Sequence, residues 1–308
     1  MQPVFAGVYP MLLSFYTGDD RIDATLLRRQ VDLAVASGCH GLGVMGLGTE
    51  VNKLSTVERR ETLEIVAQHL AGRLPLSVTI GENTARGQIE FARHAAELNA
   101  AWLILQPPAV SDVSELELLR FFGAVADSVS LPVALQNAAV YLGIQLSTAG
   151  LRALQRQHPN VCLLKTEDPP EITARLIEET GGTFRVFVGR GGMNMIDELR
   201  AGAVGIIPGV ETMDRMPGIY NDFVAGRDHA ALAIYSEIAP SLEFLERSIN
   251  HFVTCSREIM ARRMGVPAIH HRLAKEITPF CREQIDRYAA ALGPFAPARG
   301  PAKGASTK

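Results

Sequence analysis

Short apolar runs recur along the first two-thirds of the chain, at 8–13, 41–45, 76–80, 102–105, 132–135, 161–164, 185–188 and 205–207. Runs of this length, bounded by polar or turn-forming residues, read as buried strands. Between them lie segments whose apolar residues return every three or four positions, which predicts helices over 23–36, 56–70, 84–98, 115–128, 147–157, 171–179, 193–201 and 213–225. Ser55-Thr56-Val57-Glu58 fits a capping box before the second helix, and Ser114 and Ser147 stand where they can cap the fourth and fifth. Eight strand–helix units in succession predict an α/β chain with a parallel sheet covered on both faces. Eight is also the number that closes a TIM, or (β/α)8, barrel. An open doubly wound sheet would need a phosphate-binding glycine-rich turn after the first strand, and 14–20 contains none.

Beyond the eighth unit the pattern is helical only, over 228–247, 250–264 and 271–292. The division expected is a barrel over 1–226, a helical region packed on it over 227–292, and a disordered Pro-, Gly- and Ala-rich tail over 293–308. A chain of 308 residues, 47% hydrophobic and 20% charged, with a net charge of −3, is an ordinary globular composition. That charge gives no footing for nucleic acid or an anionic membrane. No signal peptide opens the chain and no apolar run reaches membrane-spanning length, so a cytoplasmic protein is expected. Cys39, Cys162, Cys255 and Cys281 show no C-x-x-C spacing and read as reduced residues, neither disulfides nor metal ligands. No metal and no cofactor is expected.

Candidate chemistry changes this picture at one residue above all. Lys165 closes the run Val161-Cys162-Leu163-Leu164-Lys165. Lysine is rarely buried without a partner. Burial disfavours an ammonium ion, and a neutral amine is a nucleophile toward a carbonyl carbon. The plainer alternative is a lysine that snorkels out of the strand end into solvent. In a TIM barrel the chemistry sits at the C-terminal strand ends. There this sequence places Gly46-Leu47-Gly48-Thr49-Glu50, Glu82-Asn83, Gln106-Pro107-Pro108, Gln136-Asn137, Lys165 with Glu167, Gly189-Arg190-Gly191-Gly192 and Pro208-Gly209.

Three of these stretches, with Gly202–Ile207 (202–207) beside them, resemble the dihydrodipicolinate synthase / N-acetylneuraminate lyase family of class I aldolases over roughly residues 5–290. Gly46-Leu47-Gly48-Thr49-Glu50 stands where that family has its G-[ST]-[ST]-G-E loop. Leu135-Gln136-Asn137-Ala138-Ala139 stands at its Y-N-x-P, and Leu164-Lys165 at its Schiff-base lysine. The resemblance implies that Lys165 attacks the C2 carbonyl of a 2-keto acid, giving an iminium that acts as an electron sink. It further implies that backbone amides of 46–50, helped by the Thr49 hydroxyl, hold the substrate carboxylate, and that the protein is a homotetramer. Glu50 is expected only to brace that loop.

The departures narrow the reading. Gln136 replaces the relay tyrosine, and an amide cannot act as a general acid or base. Leu47 and Gly48 replace a threonine pair, Pro108 or Ala109 a second tyrosine, and Tyr141 the arginine that grips the aldehyde's carboxylate in the synthase branch. Glu167 is the candidate to replace the lost acid–base group, because residues two apart on an extended segment face the same side. Its alternative role is to cap the following helix. This pattern resembles the 2-keto-3-deoxy sugar-acid dehydratases, in particular 2-keto-3-deoxy-L-arabonate dehydratase. The expected catalytic residues are Lys165, Glu167 and Gln136; the expected substrate contacts are Gly48, Thr49, Asn137, Tyr141, Arg190 and Pro208, with Asn83 a further candidate for distal hydroxyls. Retro-aldol cleavage, 4-hydroxy-tetrahydrodipicolinate synthesis and a non-enzymatic keto- or amino-acid sensor are the alternatives.

Overall fold

Proline shortens the first and last strands of the sheet. In the computed structural model, which describes residues 5–295, the strands are β1 (Gly7–Val8), β2 (Leu42–Val44), β3 (Leu76–Ile80), β4 (Trp102–Leu105), β5 (Val133–Asn137), β6 (Val161–Thr166), β7 (Arg185–Val188) and β8 (Gly205–Ile206). The run expected over 8–13 is interrupted by Pro10, which has no N–H for the ladder, and Pro208 follows β8. All strands pair in parallel in the order β1-β8-β7-β6-β5-β4-β3-β2. Met11 bridges to Gly209 beyond β8 and to Gly43 of β2, joining the two edges into a barrel.

Helices α1 (Ala24–Ala36), α2 (Thr56–Leu70), α3 (Ala85–Glu97), α4 (Glu115–Ala126), α5 (Ala139–Leu142), α6 (Thr148–Gln157), α7 (Pro170–Glu179), α8 (Met195–Arg200) and α9 (Met216–Val224) connect the strands. Ser55 and Glu58 form the expected capping box, and Ser114 and Ser147 accept from the amides of Glu117 and Gly150. The one-turn helix α5, ended by Gly143 at φ 69°, is an addition to the expected pattern.

After the barrel come α10 (Asp228–Leu245), α11 (Ile249–Met264) and α12 (Pro279–Leu292). The third of these is shorter than the 271–292 expected. Pro279 sits in its first turn behind the Thr278 cap, and the residue before a proline is driven out of helical geometry. The tail at 296–308 lies outside the described residues; Gly293 and Pro294 give their carbonyls to Arg263, whose guanidinium stacks on Phe295 at 3.9 Å.

The barrel interior is filled from below. Phe5, Tyr9, Met11, Trp102, Ile104, Ala134, Leu163, Phe187 and Ile207 form a buried cluster, with the Trp102 and Phe187 rings 5.1 Å apart and Tyr9 edge-on to both. Two residues further along β5 and β6, on the same inner face, come Gln136 and Lys165, which pair in register. An aromatic and aliphatic floor thus carries a polar layer at the C-terminal end of the strands.

Candidate active site

Lys165 is buried, and its Nζ donates to Oε1 of Glu167 at 2.6 Å. The other oxygen of that carboxylate accepts the backbone N–H of Arg190 at 2.5 Å. Glu167 is therefore held from two sides. It does not cap the following helix: Pro169 is at the cap position of α7, with no side-chain cap bond. Lys165 does not snorkel to solvent either, because its ammonium ends on a buried carboxylate.

These groups open onto a recess of about 420 Å³ lined by Met11, Leu47, Gly48, Tyr141, Lys165, Glu167, the 189–191 loop, Ile207, Pro208, Glu246, Ile249 and Phe252. The turn at 46–50 forms one wall. Among the described residues the backbone N–H groups of Leu47, Gly48 and Thr49 take no hydrogen-bond partner, whereas Glu50 N–H bonds Leu47 O. Unpartnered amides on one turn can receive an anion. Behind the turn, Glu50 at φ 58° is gripped by Lys53 at 2.6 Å, by Arg257 and by the Tyr16 hydroxyl at 3.4 Å. It braces the loop, as its sequence position led us to expect.

Several candidate residues lie elsewhere. The Thr49 hydroxyl donates to Leu12 O at 2.7 Å and the residue is fully buried, so it fastens the turn to the segment after β1 and does not reach the recess. A buried hydroxyl needs an acceptor, and the Leu12 carbonyl is the one in reach. Asn137 is one residue past Gln136 and so points to the outer face. Its amide bonds Leu146 N and O at 2.7 and 3.2 Å, closing the loop after β5. Asn83 likewise accepts Ala109 N–H at 2.9 Å, away from the recess. Gln136 lies on the inner face beside Lys165 but beneath the wall. Its Oε1 accepts from Gln106 Nε2 at 2.9 Å, while its Nε2 has no partner among the described residues. Gly48, Tyr141, Arg190 and Pro208 do line the recess.

The sequence reading missed the contribution of the C-terminal helices. Glu246 caps the end of α10, and Ile249 and Phe252 open α11; all three face the barrel mouth. The Tyr141 hydroxyl donates to Glu246 Oε2 at 3.1 Å. Burial, and then the charge of Glu167, push the Glu246 carboxyl up to about 7. Burial, followed by Glu246 and Glu167, also pushes the Tyr141 phenol well above its ordinary range. In sequence Glu246 is one more polar residue near a helix end, and nothing local marks it.

One group of potential metal ligands occurs among the described residues, outside this recess. His251, Cys255 and Cys281 bring their ligand atoms within 4.8 Å of one another between α11 and α12. The cysteines had been read singly, and only helix packing brings them together.

The sequence profile described as the Dihydrodipicolinate synthetase family matches residues 4–285. The chain belongs to that family. Its relatives have different names. A putative 2-dehydro-3-deoxy-D-gluconate aldolase, YagE of Escherichia coli (strain K12), is 31% identical over 162 residues, 53% of this chain and 54% of that protein, so this match spans about half of each. The crystal structure of YagE in complex with pyruvate superposes with a TM-score of 0.86 at 24% identity, covering 94% of this chain and 99% of that one, a likeness of fold. A 4-hydroxy-tetrahydrodipicolinate synthase of Methanococcoides burtonii is 27% identical over 80% of this chain and 85% of its own length. An L-2-keto-3-deoxyarabonate dehydratase of Azospirillum brasilense is 25% identical over 80% of this chain and 81% of its own. Members of the dihydrodipicolinate synthetase family with these names are lyases, aldolases and synthases, and this chain is an enzyme of that kind.

Proposed function

We propose that this family member is a Schiff-base dehydratase of a 2-keto-3-deoxy sugar acid, of the 2-keto-3-deoxy-L-arabonate type. The observation that carries the reading is the 2.6 Å contact between Lys165 and Glu167 at a barrel mouth whose β5 position holds Gln136. Glu167 takes a proton from the ammonium, and the freed amine of Lys165 adds to the C2 carbonyl. Glu167 returns that proton to the carbinolamine hydroxyl, which leaves as water to give the iminium. The free amides at Leu47 and Gly48 hold the C1 carboxylate. Glu167 then removes a C3 proton to form the enamine and returns it to the C4 hydroxyl, which leaves as water. Hydrolysis of the resulting unsaturated iminium frees Lys165 and a keto acid with its carbon skeleton intact. One carboxylate in contact with the nucleophile is sufficient for these transfers, whereas Gln136 cannot perform them.

Synthase chemistry finds less support, although synthases cover as much of the chain as the dehydratase does. It condenses pyruvate with an aldehyde that carries a carboxylate, and among the described residues of this recess that group would meet the carboxylates of Glu167 and Glu246 with Arg190 as the single cation not already paired to one. Retro-aldol cleavage shares the iminium and separates at the next step. The test is product analysis with 2-keto-3-deoxy-L-arabonate. A five-carbon keto acid lacking one water is expected; pyruvate with a two-carbon aldehyde would make the enzyme an aldolase.

A further inference from the structure

Glu246 and Tyr141 belong neither to the amine–carboxylate pair nor to the turn with free amides, yet they face the same recess. They come from separate parts of the chain, Tyr141 from the turn α5 and Glu246 from the corner between α10 and α11. Both ends of that corner are fixed. Glu246 N–H bonds Leu242 O, and the Ser248 hydroxyl accepts His251 N–H. The loop after β7 is shaped to pass between two carboxylates. A Cβ on Gly189 would lie 2.1 Å from Glu167 Oε2, and one on Gly191, at φ 58°, would lie 2.4 Å from Glu246 Oε1. The second carboxylate thus occupies space that any other residue at 191 would fill. Its Oε2 takes the Tyr141 hydroxyl, while its Oε1 has no hydrogen-bond partner among the described residues.

We propose that Glu246 and Tyr141 form the subsite for the hydroxyl-bearing distal end of the substrate, so that the C-terminal helices set which keto acids the barrel accepts. This rests on the Schiff-base reading above and adds to it the chemistry of the far end of the ligand. With C2 on Lys165 and the C1 carboxylate at the 46–50 turn, C3 and C4 lie at Glu167 and the chain continues into the remaining wall. A hydroxyl there can donate to Oε1 of an ionised Glu246, or accept from that oxygen when Glu246 is protonated, while Tyr141, whose one hydroxyl hydrogen goes to Oε2, holds the carboxyl in place and can accept on its own oxygen. Burial beside Glu167 raises the share of that protonated form. A carboxylate in the same place would face two carboxylates and a phenol, with Arg190 the one cation of the lining not already paired to a carboxylate. Ile249 and Phe252 close the side of the recess and leave the polar pair as the recognising groups.

The test is borohydride trapping at Lys165 on the full chain, read by intact mass as a function of ligand concentration. Three ligands are compared: 2-keto-3-deoxy-L-arabonate, 2-oxopentanoate, which has the same length without hydroxyls, and pyruvate. Glu246→Gln and Tyr141→Phe are each expected to raise the half-saturating concentration of the hydroxylated acid at least tenfold more than that of the other two. An equal effect on all three ligands, or none on any, overturns the subsite and leaves the Schiff-base reading in place. Failure of the wild-type chain to trap any of them overturns both. If Glu246→Gln does not fold, judged by its melting transition, Tyr141→Phe decides alone.

Discussion

At the residue scale the chemistry rests on the partner that a buried lysine has. Lys165 and Glu167 were both legible in the sequence, because an apolar run fixes the strand and its period of two fixes the face. Thr49, Asn137 and Asn83 were not. Their side chains are turned by acceptors and donors at Leu12, Leu146 and Ala109, which local spacing cannot reveal. Two substitutions test the pair. Glu167→Gln removes the proton carrier but keeps the size, so turnover is expected to fall about 10²- to 10⁴-fold while borohydride trapping at Lys165 still occurs, more slowly, on prolonged incubation. Unchanged turnover would assign the proton transfers to another group. Gly189→Ala places a methyl on the Glu167 carboxylate and is expected to lower kcat at least about tenfold, with the melting temperature much less affected. A normal kcat would mean that the position of this carboxylate is not critical.

At the element scale, the strand-end loops line the recess, but Glu246, Ile249 and Phe252 of its lining come from helices that looked like packing. α10 buries one face and α11 nearly its whole circumference, and a helix pattern does not show against what a residue is buried. The link between layers is concrete at Arg257 of α11. It reaches into the barrel to pair with Glu50 and to donate to Ser14 O at 2.8 Å, with its guanidinium 5.2 Å from the Tyr16 ring centre. Burial pushes this guanidinium down to about 10. Glu50→Ala would leave Arg257 buried without its main counter-charge, and a loss of about 3–5 kcal/mol is expected in denaturant unfolding. A loss below about 1 kcal/mol would show that the pair does not hold the 46–50 turn.

At the scale of the whole molecule, the count of eight units followed from alternation, since a parallel sheet needs a crossover between strands, and closure into a barrel from the missing glycine-rich turn after the first strand as well. The molecule also buries acids outside the pair. Burial pushes Glu211, beside Ser256 and Arg263, from 4.5 up to about 7. Between those values the folded chain holds a proton that the unfolded chain has released. Stability therefore falls as pH rises from about 4.5 to about 7 and levels off above. Glu211→Gln removes this dependence and is expected to stabilise the protein at pH 8 by on the order of 1–3 kcal/mol, with little difference near pH 4.5. Parallel curves of stability against pH for the two proteins would contradict that.

The central claim is that Lys165 carries the substrate and Glu167 moves its protons. Its most direct test is peptide mapping after borohydride quenching of the enzyme with 2-keto-3-deoxy-L-arabonate. The account predicts an adduct on Lys165 alone, one water lighter in the wild-type enzyme than in Glu167→Gln. An unmodified Lys165, or an adduct on any other lysine, would contradict it.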